Sequence, residues 1–446
     1  MSDHYDNSPT LQKNHYQILT ICSLIAIVTV ADFVAFWYSA DFISHAFFQQ
    51  STNNSERYAL LAALFASGYL ARPIGGFFIG RYGDKNGRKA ALRLSLLGVS
   101  IFTLTIAFLP TYTHIGGLAA GLFVLARLGQ GFAFGGQLPS LWVYACERLP
   151  IGSIGLSCGL ISSAMLTSSL ILIGLFHLLE NLLSITDWLV FGWRIAFLAS
   201  GLLSLVLLFF TKKLDETPIF LTHKHSLEND SPSTQNSTNP QHHPSLDKIK
   251  KNRWTGIVPV LILSLFIANV TVVFIFLLPD LIKQTFFIQE TFVDIAYIIC
   301  LVFFALGTVF FGFLTDHINA GKVLIIGLLL FISSAIWTFY DLDTGGSLMF
   351  FSMGVLGFFS GVTGAMPTVM TRLCPVPNRL RTVATGYNSV YALTGIFMPP
   401  LLGFLSYHAD FAPILYLSFI ALLCIFLSLY VHENPKNANQ LYNLGD

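Results

Sequence analysis

Three ionisable residues lie within long apolar stretches of the sequence, where a charge is costly. They are Asp32, Arg72 and Arg127. A charged side chain near the centre of a bilayer costs about 2.5–3.5 kcal/mol on insertion scales, and it usually faces a cavity or a partner. A carboxylate in such a place can carry a proton, and a guanidinium can bind a carboxylate through two parallel hydrogen bonds. These residue types indicate binding and proton transfer within a membrane.

Each of these three residues has a predicted role and an alternative. Asp32 is the candidate proton-binding carboxylate, or else a hydrogen-bond partner between helices. Arg127 is predicted to bind substrate charge or to take part in proton coupling; its alternative is a structural arginine satisfied by helix carbonyls. Arg72 precedes Pro73 and is a candidate gate or substrate contact. It is equally a candidate to bond the carbonyls that a proline leaves free.

Seven further polar or aromatic residues are candidates to face a central path, as substrate-binding or proton-coupling residues. They are Gln137, Tyr38 and Trp37 in the first half of the chain, and Asn269, Tyr297, Asn388 and Tyr391 in the second half. Each is also compatible with simple packing between helices.

A short charged stretch, Gly80–Lys89, separates two apolar runs and reads G-R-Y-G-D-K-N-G-R-K. It is predicted to be a tight loop at a membrane face, because four cations and one carboxylate do not lie in hydrocarbon. Its glycines allow tight turns, and Asp84 can accept hydrogen bonds from backbone donors. Its ordered residues are Gly80, Asp84, Gly87, Arg88 and Lys89, and Gly312 and Asp316 repeat the spacing of Gly80 and Asp84 in the second half.

The composition indicates that lipid covers most of the surface of this protein. Of 446 residues, 54% are hydrophobic and 11% charged, with a mean hydropathy of +0.68, whereas soluble proteins carry about 25% charged residues. A helix needs about 20 mostly apolar residues to cross a bilayer. Twelve such runs lie near residues 17–40, 58–80, 90–109, 115–142, 152–180, 188–211, 255–279, 291–315, 321–340, 347–373, 383–407 and 411–431.

The predicted fold is an all-α membrane protein with twelve transmembrane helices in two pseudo-symmetric six-helix bundles. The expected segments are a cytoplasmic tail (1–16), the first bundle (17–211), a cytoplasmic linker (212–253), the second bundle (254–432) and a cytoplasmic tail (433–446). Lys and Arg are concentrated in alternate connecting segments, which places both termini in the cytoplasm. We expect a multi-pass monomer in the bacterial cytoplasmic membrane, with the lipid bilayer, a small-molecule substrate and protons as its partners and no nucleic acid.

The sequence gives no indication of an enzyme or of a cofactor. It contains no nucleophile–base constellation, nucleotide-binding loop or dinucleotide fingerprint. The six cysteines show neither metal-ligand spacing nor a disulfide framework. Four histidines of the polar middle segment lack further ligands and are predicted to be solvated, so no metal site is expected; they are His223, His225, His242 and His243.

Several motifs carry a family resemblance. They read G-Y-L-A-R-P-I-G-G-F-F-I-G (Gly68–Gly80), A-R-L-G-Q-G-F-A-F-G-G (Ala126–Gly136), G-W-R-I-A-F-L (Gly192–Leu198), E-T-P-I-F (Glu216–Phe220) and C-P-V-P-N-R-L-R (Cys374–Arg381). Together with the charged stretch, they resemble the major facilitator superfamily. More narrowly they are similar to its metabolite:proton symporters, which include carriers of proline and betaine, α-ketoglutarate, citrate and shikimate. Two carboxylates common in those carriers are replaced here by Ala35 and Gln137.

The resemblance implies a proton-coupled secondary active transporter. Such a symporter would import a small organic anion or zwitterion, for example a carboxylate, an amino acid or a betaine, by alternating access. It also implies that the ordered residues of the charged stretch and its repeat form a gating motif. In that motif, Asp84 latches the two bundles together through the start of the eleventh span, near Arg381 and Thr382. Two alternatives stay open: a proton-driven exporter or antiporter of hydrophobic compounds, and a transport-inactive membrane sensor of the same fold.

Overall fold

The computed structural model describes residues 11–48, 54–229 and 256–433, which form helices and connecting turns without a β-strand. Twelve helical segments are long and apolar enough to cross a membrane, as the sequence predicts. Numbered α1 to α12 in chain order, they are Lys13–Tyr38, Leu60–Asn86, Arg88–Phe108, Leu118–Arg148, Ile151–Leu182, Ile185–Lys213, Ile257–Phe286, Glu290–His317, Ala320–Asp343, Met349–Arg372, Val376–His408 and Ala412–Leu429.

Several of these spans contain a break, and a few short helices connect them. α2 joins the end of helix Asn54–Leu70 to helix Arg72–Asn86, and α10 contains a 3₁₀ turn, Gly361–Ala365, between Met349–Ser360 and Met366–Arg372. The connecting helices include Ala40–Phe47, Tyr112–Ile115 and Pro218–Asn229. We call Pro218–Asn229 the linker helix.

The break in α7 has a clear local cause. A π-helical turn, Val273–Leu277, precedes the helix Leu278–Phe286, which carries Pro279 in its first turn. Proline has no backbone N–H, so in a regular helix the carbonyl four residues earlier loses its donor. That carbonyl belongs to Ile275, and the Tyr297 hydroxyl of α8 donates to it at 2.8 Å. The predicted site residue Tyr297 therefore satisfies the backbone at the break in α7.

The charged stretch Gly80–Lys89 differs from the predicted loop. Helix Arg72–Asn86 continues through most of it, and the chain turns at Gly87 alone before α3 begins at Arg88. Hydropathy ends a span where charges begin, but here the helix continues, and Asp84 near its end has partners on neighbouring elements. The repeat behaves in the same way, since α8 remains helical to His317.

The two halves, α1–α6 and α7–α12, meet along a few helices. α5 packs on α8, α2 packs on α11, and α1 touches the broken segment of α7. The linker helix packs against the end of α4 and against the turn Val376–Asn378 of the second half. We call the side of the protein on which this helix lies the linker side. Two of the predicted linker histidines, His242 and His243, lie outside the described residues.

Large apolar side chains cover the outside of the helices. Examples are Leu125, Phe209 and Phe426, of which 64%, 65% and 71% is exposed. Such a surface suits lipid, while the polar residues of the spans lie inside the protein. The buried polar groups therefore define where function can reside.

Candidate functional site

A buried polar cluster joins α1, α3 and α4. The Asp32 carboxylate accepts hydrogen bonds from Thr103 Oγ1 at 2.6 Å and from Gln130 Nε2 at 3.0 Å. Gln130 Oε1 in turn accepts from Arg127 Nη1 at 2.7 Å. Asp32 and Arg127 are thus connected through the Gln130 amide and not by a direct ion pair. Asp32 and Arg127 were predicted site residues, but Gln130 was not. Its position one helical turn after Arg127 could have identified it, because residues three apart lie side by side on a helix.

Several polar atoms of this cluster have no hydrogen-bond partner. They are Oδ1 of Asp32 and Nε and Nη2 of Arg127. Two rings lie beside the guanidinium, with Arg127 Cζ 4.6 Å from the Phe36 centroid and 5.0 Å from the Phe33 centroid. Buried polar groups are nearly always satisfied, so unpaired ones mark a site where water, a proton or a rearrangement supplies the partner. The free carboxylate oxygen of Asp32 is such a position for a proton.

A small cavity lies between the two halves. The volume open to water centres is about 40 Å³, which suits a few water molecules, since one needs about 10–15 Å³. Fourteen residues line it: Thr29, Val30, Phe33, Tyr69, Arg72, Phe134, Leu138, Met165, Thr271, Val272, Ile275, Phe276, Tyr387 and Tyr391. Arg72 is the one charged residue among them. Apart from Thr29 and Thr271, the rest of the wall is apolar or aromatic.

Arg72 connects the two halves at this cavity. Its Nε donates to Asn388 Oδ1 of α11 at 3.0 Å, and Asn388 Nδ2 donates to the Gly135 carbonyl of α4 at 2.6 Å. The Arg72 guanidinium also lies over three rings, with Cζ 4.9 Å from the Tyr391 centroid and 5.4 Å from those of Phe33 and Tyr69. A guanidinium over aromatic faces is held in place without losing its ability to bind a carboxylate.

The structure brings some of the other predicted residues to the cavity and not others. Tyr391 lines it, and Asn388 contacts Arg72. Trp37 packs against Phe276, a cavity residue of α7, with tilted rings whose centroids are 5.4 Å apart, so it covers the cavity on the side away from the linker. It is part of an aromatic contact between the halves.

Three predicted residues lie away from the cavity lining. Tyr38 packs on Phe176 with ring centroids 5.4 Å apart. Gln137 is fully buried, and neither polar atom of its side chain has a partner. Asn269 accepts from the Tyr416 hydroxyl at 3.2 Å and so ties α7 to α12. The polarity of these residues identified them, but helix rotation directs them elsewhere.

The linker side is closed by a contact between Asp84 and the start of α11. Asp84 Oδ1 accepts from the backbone N–H of Leu380 at 3.1 Å, and Oδ2 accepts from that of Arg381 at 3.0 Å. The N-terminus of a helix offers free N–H groups and a partial positive charge to an anion. The contact is made where the resemblance placed it, one residue before Thr382.

A network of buried charges adjoins this contact. Arg88 donates to Asp84 at 3.1 Å and to Glu147 at 3.0 and 3.2 Å, and Arg379 of the second half donates to Glu147 at 2.9 Å. Thr217 Oγ1 donates to Glu147 at 2.8 Å. Glu147 and both arginines are almost completely buried. One carboxylate at the end of α4 therefore holds cations from both halves, and neither Glu147 nor Arg379 was among the predicted site residues.

Two glycines of the charged stretch are needed for the close contacts on the linker side. Gly87 has φ 113°, a conformation that other residues rarely adopt. It lets Glu216 reach the first N–H groups of α3, accepting from Arg88 N at 2.8 Å and from Lys89 N at 3.2 Å. Gly80 packs against the backbone of Arg381, and a Cβ there would lie 2.6 Å from the Arg381 Cα. Gly80 therefore allows α2 and α11 to touch, and Gly87 leaves room for the Glu216 carboxylate.

The second copy of the motif makes the same helix-end contact in the opposite direction. Asp316, at the end of α8, accepts from the backbone N–H groups of Gly155 and Leu156 at 2.7 and 2.8 Å. These two residues lie in the first α-helical turn of α5, a turn that begins at Ile154. Gly312 lies where α8 crosses Gly155 and Gly159 of α5. Both halves therefore contribute an acid to the other half's helix N-terminus on the linker side.

Comparisons with known proteins agree with this architecture. The model of the "Sugar (and other) transporter" family matches residues 24–284, and that of the "Major Facilitator Superfamily" matches residues 260–443. A protein of Staphylococcus haemolyticus named as a proline/betaine transporter is 31% identical over 416 residues, covering 90% of this chain and 84% of that one. The α-ketoglutarate permease of Escherichia coli is 35% identical over 190 residues, 42% of this chain and 43% of that one.

A solved structure shares the fold. The proton:xylose symporter XylE of E. coli, bound to 6-bromo-6-deoxy-D-glucose, superposes with a TM-score of 0.78 over 94% of this chain and 95% of that one, at 16% identity. At that identity the likeness speaks for the fold alone. With the family models and the relatives, it identifies the chain as a transporter rather than an enzyme: it belongs to the major facilitator superfamily.

Proposed function

We propose that this protein is a proton-coupled symporter that imports a small zwitterion, such as a betaine or an amino acid, across the bacterial cytoplasmic membrane. The observation that carries the proposal is the cavity between the halves, where one arginine lies among aromatic rings. Carrier folds built from two repeats place the substrate at the interface of the repeats near the middle of the membrane.

The chemistry of the cavity wall favours a zwitterion over other small metabolites. Arg72 can bind one carboxylate through its fork of N–H donors. The faces of Tyr69, Tyr391 and Phe276 are suited to a quaternary or secondary ammonium group, which aromatic rings attract. A dicarboxylate would need a second cation, and Arg72 is the only one among the lining residues that the structure describes. The name of the proline/betaine relative supports this choice, while that of the α-ketoglutarate permease supports the broader class of organic anions.

Substrate binding at Arg72 would change a bond between the halves. A substrate carboxylate competes with Asn388 Oδ1 for the Arg72 guanidinium, and that bond now joins α2 to α11. The Asn388 amide would keep its bonds to the Gly135 and Ala384 carbonyls. Since the cavity has room for only a few waters, it must expand to accept a substrate. Binding is thus linked to relative movement of the two bundles, as alternating access requires.

Proton coupling is assigned to Asp32 and Arg127. A proton on the free Oδ1 of Asp32 would remove the negative charge that Arg127 senses through Gln130. Phe33 lines the cavity and contacts both arginines, with its ring centroid 5.0 Å from Arg127 Cζ and 5.4 Å from Arg72 Cζ. Neutralising Asp32 therefore alters the field at the substrate arginine across a single ring, which is a short path for coupling.

The linker side is assigned to the cytoplasm. The Lys and Arg residues of alternate connecting segments gather on that side, and this bias sets orientation in membrane proteins. The helix-end contacts of Asp84 and Asp316 and the Glu147 network then form the cytoplasmic gate. Opening that gate to release substrate must separate all three.

The test is uptake into proteoliposomes with an imposed proton gradient. We expect labelled glycine betaine or proline to accumulate above its external concentration, and α-ketoglutarate to accumulate less. Arg72→Gln should raise KM by about 10- to 100-fold, since a hydrogen bond to a charged group contributes about 1.5–3 kcal/mol. Arg93→Gln, which changes an exposed arginine of α3, serves as the control.

The proposal fails if none of these solutes accumulates beyond the level in empty vesicles. Gradient-driven efflux of a hydrophobic cation from the same vesicles would establish an exporter instead. Binding without exchange of labelled for unlabelled solute would establish a sensor.

A further inference from the structure

A second and much larger recess lies on the linker side of the first half, between α1, the end of α4 and the end of α6. Its volume is about 660 Å³, against about 40 Å³ for the central cavity. We call it the α1–α6 groove. It shares no lining residue with the central cavity, and neither the gate network nor the polar cluster of Asp32 contributes to it.

The two ends of the groove differ in chemistry. Lys13, Arg148 and Lys213 line one end together with a single carboxylate, Asp215. The lining of the other end is apolar and includes Ile21, Leu24, Leu207 and Phe210. The charged end therefore carries an excess of two positive charges.

The length of the groove matches one leaflet of a bilayer. Lys13 and Leu24 are 11 residues apart on α1, which is about 16 Å at helical rise. The hydrocarbon core of a bilayer is about 30 Å thick, so one leaflet covers about half of that. A molecule with its charge at the level of Lys13 would reach the middle of the bilayer beside Leu24.

The protein itself supplies few anionic partners for the cations at the charged end. Arg148 lies 3.8 Å from Asp215, whose side chain is 82% exposed, and exposed pairs of this kind contribute little. Arg148 Nε is buried without a hydrogen-bond partner. The Lys213 ammonium lies 5.1 Å from the Phe210 centroid and is thereby held over the apolar part of the groove. An anionic group would complete this arrangement.

We propose that the α1–α6 groove binds one anionic glycerophospholipid of the leaflet on the linker side. Its phosphate lies among Lys13, Arg148 and Lys213, and an acyl chain runs along α1 and α6 to Leu24. Basic pockets between membrane helices recognise anionic headgroups in this way. The excess of positive charge selects against a zwitterionic phospholipid, and the apolar end selects against free phosphate. The site is independent of the transported substrate.

Native mass spectrometry of the full chain tests the proposal. The protein is delipidated in detergent and then offered phosphatidylglycerol or phosphatidylcholine with identical acyl chains. We expect tighter binding of phosphatidylglycerol, and each lysine should contribute about five-fold to its affinity. The variant K13Q/K213Q should therefore lose most of that preference. K212Q is the matched control, because the Lys212 ammonium lies over Phe209 and outside the groove.

Several outcomes would overturn the proposal. Equal retention of the two lipids, or unchanged phosphatidylglycerol binding in K13Q/K213Q, would remove the site. Complete competition by glycerophosphoglycerol, which has no acyl chains, would make it a site for a soluble phosphate ester. Phosphatidylglycerol binding that appears only after deletion of residues 2–10 would make the chain's own N-terminus the occupant.

A folding control keeps the result interpretable. If K13Q/K213Q has a lower unfolding temperature than K212Q in lipid-free detergent, the single variants K13Q and K213Q replace it. Each is then expected to lose about five-fold in affinity for phosphatidylglycerol. No loss in either would again refute the proposal. Since only lipid binding is measured, the result does not depend on whether the transport function is correct.

Discussion

Asp84 and Asp316 make the same contact in opposite halves but in different surroundings. Each carboxylate accepts two backbone N–H bonds at the start of a helix from the other half, at 2.7–3.1 Å. Around Asp84 stand Arg88, Glu147 and Arg379, all buried. Among the described residues, no Lys or Arg side chain forms an ion pair with Asp316, and Ala320 occupies the place that Arg88 has in the first copy.

This difference distinguishes two contributions to the stability of the closed linker side. The helix-end contact is shared, and it contributes about 0.3–1 kcal/mol at an exposed end and up to about 2 kcal/mol when partly buried. The charge network belongs to one copy only. The charges in this network depend on one another, because removing one partner of a buried ion pair costs about 3–5 kcal/mol. We therefore expect the first copy to dominate the stability of the closed state.

The largest effect is expected from Glu147→Gln. This change keeps the side-chain shape but leaves Arg379 without its carboxylate and Arg88 with Asp84 alone, and removing one partner of a buried ion pair costs about 3–5 kcal/mol. The thermal unfolding temperature should fall clearly, and hydrogen exchange should increase at the start of α11. Glu180→Gln, at an exposed carboxylate of α5, should change neither. A wild-type unfolding temperature in Glu147→Gln would show that the network does not stabilise the protein.

An intermediate effect is expected from Asp84→Asn, and a smaller one from Asp316→Asn. Both lose one charged helix-end contact, but Asp84→Asn also removes a partner of Arg88. We expect Asp84→Asn to slow transport while KM stays within a few-fold, and Asp316→Asn to slow it less. Initial uptake rates over a range of substrate concentrations measure both. A wild-type rate in Asp84→Asn would eliminate the latch, and a larger loss in Asp316→Asn would reverse the comparison.

The smallest effect is expected at the linker helix, which contacts the surroundings of Asp84 and not those of Asp316. Burial, together with the nearby Arg88, lowers the pKa of His223 from its usual 6.5. A histidine with a lowered pKa in the docked state favours docking above pH 6.5, and that contribution is lost as the pH falls through the lowered value. Proteolysis of the linker helix should accelerate modestly between about pH 7.5 and about pH 5.5. His223→Gln should abolish this pH dependence; an unchanged pH profile would exclude His223 as its source.

The sequence predicted the fold better than the site because the two depend on different information. Twelve apolar runs and their twofold repeat follow from local composition, and all twelve spans are present. The helical extension through Gly80–Asn86 was missed because charges look like a span end when their partners are unknown. Those partners lie on α4, on α11 and at Glu216, just before the linker helix.

Single residues also show that the sequence does not reveal which side chains become partners. Glu147 sits next to Arg148 at the end of an apolar run and is indistinguishable there from an ordinary solvated end. Arg72 and Asn388 were both candidates, but their bond spans 316 positions and depends on how α2 meets α11. Asn269 was a candidate on polarity alone, and the rotation of α7 directs it to Tyr416. The sequence shows which residues are polar, whereas their hydrogen-bond partners depend on how the helices pack.

The most direct test of the account is to separate transport from proton coupling at Asp32. Proteoliposomes containing Asp32→Asn are compared with wild type in two assays: accumulation of glycine betaine or proline driven by a proton gradient, and exchange of labelled for unlabelled solute without a gradient. We predict that the variant keeps exchange and loses accumulation, because substrate still binds at Arg72 while no proton is carried at position 32. Accumulation at the wild-type level in Asp32→Asn would contradict the account.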